Sequence, residues 1–485
     1  MTKGTPSATS EVFGGSARVF AAEAIALPTA LVTAGFLTRQ LGASGYGLFT
    51  LTLAIVAWLE WTLSSLFARA AVKLVADADD WRSAGAVVLR MFAVGGLVGC
   101  AALWLAARPL AALMHEPLLV RYLRLLAIDV PVFLLAQAHQ QVLVGTGAYT
   151  RRATVAACRW TARMVFVVAL VAAGFSIEGA LAGILGASVV ELMVARRFIQ
   201  PSLRGARATD ARVMWTYALP LFGAAVSLRL FDKLDLFALK ALGGSAALAG
   251  VYGAAQNLTI IPGLVALSVT TLLLSTLSRS LRTGDDAGAR ELTRNAMRGV
   301  LLLFPFAGVA AGAATGVATL IFGAEFAGTG PLLAVLIFGA MAMVMISVAS
   351  AVVTAAGRAS WTLFAALPVA PLALAGHLVA IPRFGAAGAA AVTTAASALG
   401  ALLALVAVHR AWGLLPPPAT ALRALAATVL VTVLGLHWDT AGAMVVVEVG
   451  VLSLVAVVVV VALGELSGRE RATVLALVAR PARAR

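Results

Sequence analysis

Apolar residues run along this chain in long blocks, each about as long as a bilayer crossing. The short alternating segments of a membrane β-barrel are missing. A helix needs roughly 20 residues to cross a hydrocarbon core about 30 Å thick. Segments of that length predict spans at about 18–38, 46–68, 84–107, 122–146, 158–175, 179–197, 213–240, 250–278, 299–322, 331–356, 360–381, 386–408, 421–437 and 442–463. The expected fold is an all-α integral membrane protein with about fourteen transmembrane helices. The first block carries no clear A-x-A cleavage signal and is expected to be retained as a helix. The connections are short, so no soluble domain is expected.

Composition agrees. With 61% apolar residues, 12% charged residues and a mean hydropathy of +0.99, 485 residues have too little polar surface to cover a soluble globule. A net charge of +15 in a soluble protein would point to nucleic acid, but the placement of the charges gives another meaning. With a cytoplasmic N-terminus, 27 of the 36 Lys and Arg residues fall in the tails and even-numbered loops. Only Arg39, Arg108, Arg121, Arg124 and Arg383 fall on the opposite side. This asymmetry follows the positive-inside rule and predicts that both termini are cytoplasmic, with no role for nucleic acid. The longest basic connections, near 196–212 and 279–298, are expected to be solvated loops.

Several chemistries are disfavoured. Cys100 and Cys158 are the only cysteines, too few for a disulfide framework or a thiolate metal site. His139, His377 and His437 are solitary on their helices, so no metal is expected. Asp77-Ala78-Asp79 imitates the D-x-D of sugar-nucleotide transferases but has no nucleotide-binding fold around it. No G-x-x-x-x-G-K-[ST] occurs, so ATP is not expected to drive the protein directly. The longest external connection, about 108–121, leaves no protected loop for a membrane glycan polymerase or ligase. A transporter rather than an enzyme is expected, with no cofactor beyond a proton or sodium gradient.

Three faint internal echoes point to a repeat. Leu41-Gly42-Ala43-Ser44-Gly45-Tyr46-Gly47 is echoed by Leu242-Gly243-Gly244-Ser245 with Val251-Tyr252-Gly253. Val142–Gly147 is echoed by Val352–Gly357, and Gly179-Ala180 by Gly388-Ala389. The implied organisation is a six-helix lobe over 1–200, a basic cytoplasmic linker over 201–212, and a second six-helix lobe over 213–410. Two extra helices with a basic tail follow over 411–485. Six spans is an even number, so the lobes share one orientation as a parallel repeat, and a central cleft between them is the expected substrate path.

Arg39-Gln40-Leu41-Gly42-Ala43-Ser44-Gly45-Tyr46-Gly47, placed after a first span, resembles the R-x-L-G-x-x-x-Y-G signature of the polysaccharide-transport (Wzx-like) flippases. These belong to the MOP superfamily with the MATE exporters and lipid II flippases. Leu230 to Asp235, Leu242-Gly243 and Val251-Tyr252-Gly253-Ala254-Ala255 look like that family's seventh and eighth helices. Phe322-Gly323-Ala324-Glu325-Phe326 and Gly330-Pro331-Leu332-Leu333 resemble its connection between helices nine and ten. The resemblance covers about 14–410. It implies alternating-access translocation of an isoprenoid-diphosphate-linked oligosaccharide across the bacterial inner membrane, for cell-surface polysaccharide and lipopolysaccharide biosynthesis. Membrane lipids, a polysaccharide polymerase and glycosyltransferases would be its neighbours, and a monomer is the expected state. The rival within transport is a MATE-like ion-coupled exporter of small molecules.

Such a cargo needs polar groups and positive charge inside the membrane. On the seventh span Arg229, Lys233 and Lys240 fall within about 40° of one another, with Asp232 some 60° to the side. These basic residues are candidates to hold a diphosphate, with Asp232 or Asp235 carrying a coupling ion. The plainer alternative is an Arg229–Asp232 pair with snorkelling lysines. Arg90 adds candidate positive charge. Gln137 and Gln141, together with Tyr252 and Gln256 at i and i+4, suit sugar hydroxyls or interhelical hydrogen bonds. Glu23 and Glu60 are further candidates for ion coupling. Asp129, Glu191 and Glu448 are the other carboxylates within spans.

Overall fold

The computed structural model describes residues 25–201, 231, 233–358, 361–362, 367–438 and 440–465. Glu23, Arg229, Asp232, most of the expected linker and the first part of the seventh span lie outside the described residues. Among those described the chain is helical and contains no strand. Eight helical segments are long and apolar enough to cross a membrane.

The first two predicted spans form one helix, α1 (Ala26–Ala76), broken at Gly42. At about 1.5 Å per residue its 51 residues would measure roughly 76 Å, far more than one crossing. The break falls where the sequence predicts a connection. Gly42 sits at φ 63 and ψ 179, a backbone conformation that a Cβ obstructs, which explains the glycine in the L-G pair. The helix α2 (Trp81–Leu113) is N-capped by Asp80, whose carboxylate accepts from the Arg82 amide.

Two predicted spans are interrupted just ahead of prolines. The fourth is split into α3 (Leu119–Ala127) and α4 (Asp129–Gly145) at Ile128, ahead of Pro131. Proline has no N–H, and its ring crowds the carbonyl one turn back. Then follow α5 (Tyr149–Leu170), a five-residue π-helical stretch Val171–Phe175 with Gly174 at φ 94, and α6 (Ser176–Phe198). A short helix α7 covers 233–241. The eighth predicted span is split into α8 (Ala246–Leu258) and α9 (Ile260–Arg282) at Thr259, ahead of Pro262.

The basic segment 279–298, expected to be a loop, is mostly helix. The helix α9 runs to Arg282, and α10 (Asp286–Gly312) starts after a three-residue turn, where Asp285 accepts from the Gly288 amide at 2.9 Å. The charged stretch therefore extends membrane helices beyond the apolar boundary. The remaining helices are α11 (Ala314–Phe322), α12 (Thr329–Ala355), α13 (Val369–Trp412), α14 (Pro418–Leu436) and α15 (Met444–Ala462). In α13, Gly385 at φ 56 breaks the helix near the expected 381–386 connection, as Gly42 breaks α1.

Internal packing divides the chain into two compact units. The first holds Met1–Asn257 and Ala370–Ala389, and the second holds Leu258–Val369 and Ala390–Arg485. In the first, α4 packs on α1, α2 and α6, while α5 packs on α6. In the second, α10 packs on α12 and α14, and Val309, Val431, Leu452 and Ala456 form a buried core.

Small residues set the closest crossing of the first unit. A Cβ on Gly47 of α1 would overlap the Ala246 carbonyl of α8, and one on Gly250 would overlap the Ala43 carbonyl. The two segments that echo each other in the sequence thus touch backbone to backbone. Without a hydrophobic drive between helices in lipid, such close approach is how they associate.

Candidate functional site

Two polar clusters, each with a buried carboxylate, lie in the first unit. One joins α7 and α8. The buried Asp235 carboxylate accepts from Tyr252 Oη at 2.6 Å, Gln256 Nε2 at 2.8 Å and the Leu236 amide at 2.8 Å. Lys233 Nζ donates to Gln256 Oε1 at 3.0 Å. Four residues singled out in the sequence, Lys233, Asp235, Tyr252 and Gln256, thus form one connected network. Tyr252 and Gln256, four apart on α8, present one face to the helix that carries the charges.

Lys240 lies two turns further along α7 and has a different setting. Its ammonium is 2.7 Å from Glu116 Oε1 and 2.9 Å from the Gly244 carbonyl, with the side chain only 4% exposed. A buried lysine so matched ties the end of α7 to the turn between α2 and α3.

The second cluster joins α1, α4, α5 and α6. Arg159 Nε lies 3.0 Å from Glu191 Oε2, the two side chains being 13% and 0% exposed. Glu191 Oε1 also accepts from Gln137 Nε2 at 3.2 Å and from Gln140 Nε2. The Arg159 guanidinium stacks 4.7 Å over the Phe133 ring, whose edge meets Trp61 at 5.6 Å. Glu60, Asp129 and Arg163 share this electrostatic neighbourhood. Glu60 Oε1 and Asp129 Oδ1 are buried and accept no hydrogen bond among the described residues. Tyr46, from the Y-G pair of α1, is buried between the clusters: its hydroxyl accepts from Asn257 Nδ2 of α8 at 2.7 Å and lies in the field of Arg163.

The other candidates lie elsewhere. Arg90 is on the exposed side of α2 and lines a groove with His139 and Arg196, away from the α7–α8 network. Gln141 is half-buried, and it is Gln140 beside it that joins Gln137 on Glu191. Glu60 falls in the second cluster.

Arg159 and Arg163, which the charge count assigns to the cytoplasmic side, lie inside a helix and not in a connection. Because α5 starts at Tyr149, Arg159 sits ten residues, about 15 Å, into the helix. The available signal was their spacing of four, which places both on one face able to meet carboxylates of neighbouring spans.

A family model described as polysaccharide biosynthesis protein matches residues 16–280. No curated protein sequence matches the chain. Among solved structures, the lipid II flippase MurJ in an inward closed conformation superposes with a TM-score of 0.72 at 13% identity, over 92% of this chain and 98% of that one. An inward-facing multidrug resistance MATE family transporter of the MOP superfamily gives 0.68 at 14%, over 79% and 94%. A MOP superfamily transporter from Pyrococcus furiosus gives 0.59 at 14%, over 83% and 95%. At these identities the likeness concerns the fold: a multi-pass helical membrane protein of the MurJ and MATE type. The family match spans more than half of the 485 residues, and the chain belongs to the polysaccharide biosynthesis protein family.

Proposed function

We propose that the protein is a flippase that carries a lipid-linked oligosaccharide, with an isoprenoid diphosphate anchor, across the bacterial inner membrane by alternating access. The observation that carries this reading is the Lys233–Gln256–Asp235–Tyr252 network, with Asp235 and Tyr252 buried and Lys233 and Gln256 half-buried, in a membrane-spanning member of a polysaccharide biosynthesis family. Amide, phenol and carboxylate groups exchange hydrogen bonds with sugar hydroxyls, and the Lys233 ammonium offers positive charge to a diphosphate. Lys240, already matched by Glu116, has a positioning role.

Glu60 with Asp129 is the proposed seat of a coupling proton or sodium ion, because each carboxylate keeps a buried oxygen that accepts no hydrogen bond among the described residues. Arg229, Asp232 and Glu23 remain candidates on the sequence alone. Fourteen spans in two parallel lobes plus two helices, with both termini cytoplasmic, is the proposed topology. In support, glycines with positive φ recur at Gly42 and Gly243, Gly147 and Gly357, and Gly174 and Gly385, pairs 201, 210 and 211 positions apart. The protein is proposed to act as a monomer alongside a polymerase and glycosyltransferases.

The buried carboxylates Glu60, Asp129 and Glu191 favour one second reading, an ion-coupled exporter of cationic small molecules. Deleting the gene and profiling lipid-linked glycans separates the two. Accumulation on the cytoplasmic leaflet is expected, with no return to normal on expression of Lys233→Ala. An unchanged glycan profile with new sensitivity to cationic drugs would replace the flippase reading with the exporter.

A further inference from the structure

One exposed lane of α2 ends in charge. At 100° per residue Val94, Leu97, Ala101, Trp104 and Arg108 fall within about 80° of one another. Val94, Leu97 and Trp104 are 60%, 63% and 43% exposed, and Ala101 and Arg108 are exposed with them. From Leu97 to Arg108 the helix rises about 16 Å, close to one leaflet of a hydrocarbon core about 30 Å thick. In a membrane protein such a lane meets an acyl chain along its length, and Arg108 stands where that chain joins its headgroup.

The short helix α3 packs on α2 and brings a second guanidinium to the same end. Arg124 Cζ lies 5.4 Å from the centre of the Trp104 ring, which precedes Arg108 by one turn. Stacking holds Arg124 on an exposed ring instead of letting it extend into water. Its Nε is buried and bonds to no group among the described residues. Neither Arg108 nor Arg124 forms an ion pair among the described residues. The nearby carboxylates are already matched, Glu116 in the α2–α3 turn by Lys240 at 2.7 Å and Glu178 of α6 by Arg121 at 3.3 Å.

Two like charges around one ring repel each other, and at the edge of hydrocarbon each is incompletely hydrated. A phosphate between them supplies both the missing charge and the missing acceptor oxygens through charge-assisted hydrogen bonds. A lipid with net negative charge does this best, because a zwitterionic headgroup brings its own cation to the phosphate. We propose that the α2–α3 edge binds an anionic phospholipid of the leaflet opposite the arginine-rich one. Arg108 and Arg124 hold the phosphate, Trp104 fixes Arg124 in place, and one acyl chain follows Ala101, Leu97 and Val94. The lipid is a resident partner rather than cargo, so the site stands independently of the flippase reading.

Native mass spectrometry of the full-length protein, titrated with phosphatidylglycerol or with zwitterionic phosphatidylethanolamine, tests this. Phosphatidylglycerol is expected to be retained and phosphatidylethanolamine lost, a comparison on the unaltered protein that decides the matter even where a variant fails to fold. Replacing Arg108→Gln and Arg124→Gln together is expected to weaken phosphatidylglycerol about twenty-five-fold, at roughly fivefold per arginine. Trp104→Ala keeps both charges but releases Arg124, and should cost about the same fivefold as removing that arginine. Arg383→Gln removes an exposed arginine assigned to the same side and should leave the affinity unchanged. Inorganic phosphate is expected not to displace the lipid. Equal retention of the two lipids, or full affinity in Trp104→Ala, would overturn the proposal. So would a matching loss in Arg383→Gln, which would make the effect one of spread surface charge, or displacement by inorganic phosphate, which would assign the arginines to a soluble anion.

Discussion

The Arg159–Glu191 pair makes the sharpest energetic prediction. At 3.0 Å, with side chains 13% and 0% exposed, each charge of the pair is answered at close range by the other. Removing one partner of a buried pair leaves an uncompensated charge and costs about 3–5 kcal/mol, whereas replacing both with neutral groups is close to neutral. Arg159→Met is expected to cost about 4 kcal/mol, because it also forfeits the stacking on Phe133, worth roughly 1 kcal/mol. Glu191→Gln should cost about 3 kcal/mol, since the glutamine carbonyl still accepts from Gln137 and Gln140. The double variant should lose only about 1–2 kcal/mol, the stacking included. Thermal unfolding in detergent reads this at roughly 1–2 °C per kcal/mol for a chain of this size. A double variant at least as unstable as the two singles combined would refute the pairing and leave the residues as independent contributors.

Three further expectations follow from named contacts. Asp235→Asn keeps one acceptor for Tyr252 and should shift the melting temperature by no more than about 3 °C, at roughly 0.6–1.7 kcal/mol per hydrogen bond in membranes. It should sharply reduce glycan export in complementation; full export would remove the network from the transport path. Gly47→Ala places a methyl against the Ala246 carbonyl and should cost about 1–3 kcal/mol or more, visible as reduced folded yield on size exclusion. A normal yield would show that the α1–α8 crossing is loose.

The third concerns Glu465, just beyond α15. It accepts from Arg298 Nε at 2.8 Å, Arg423 Nη1 at 2.9 Å and Thr420 Oγ1 at 2.5 Å. Burial pushes its carboxyl up, but the bonds from Thr420, Arg298 and Arg423 outweigh burial and hold it below the ordinary carboxylate range. A depressed carboxyl contributes stability that is complete above its unfolded value and is lost as pH falls through the folded one. Glu465→Gln should therefore lower the melting temperature by a constant amount at neutral and mildly acidic pH. The difference should shrink only below the ordinary glutamate range; one that shrinks already near neutrality would contradict the assignment.

The hydrophobic pattern alone determined that the chain is helical, crosses the membrane repeatedly and breaks near Gly42 and Gly385, because bilayer thickness acts on local sequence. It also singled out Lys233, Asp235, Tyr252 and Gln256, since polar groups inside spans stand out against an apolar background. Helix ends were less legible. The helices α5 and α10 begin well before their apolar stretches, so the charge count assigns Arg159 to the cytoplasmic side and Arg298 looks like part of a loop. Only the tertiary structure decided which polar residues meet: Arg159 with Glu191, Lys240 with Glu116, Tyr46 with Asn257, and Gly47 against Gly250. It also turned Arg90 toward an outer groove rather than toward α7 and α8. Insertion energy depends on how apolar a segment is. The rotation and tilt that choose its neighbours come from interhelical packing between residues up to 211 positions apart, which local periodicity does not encode.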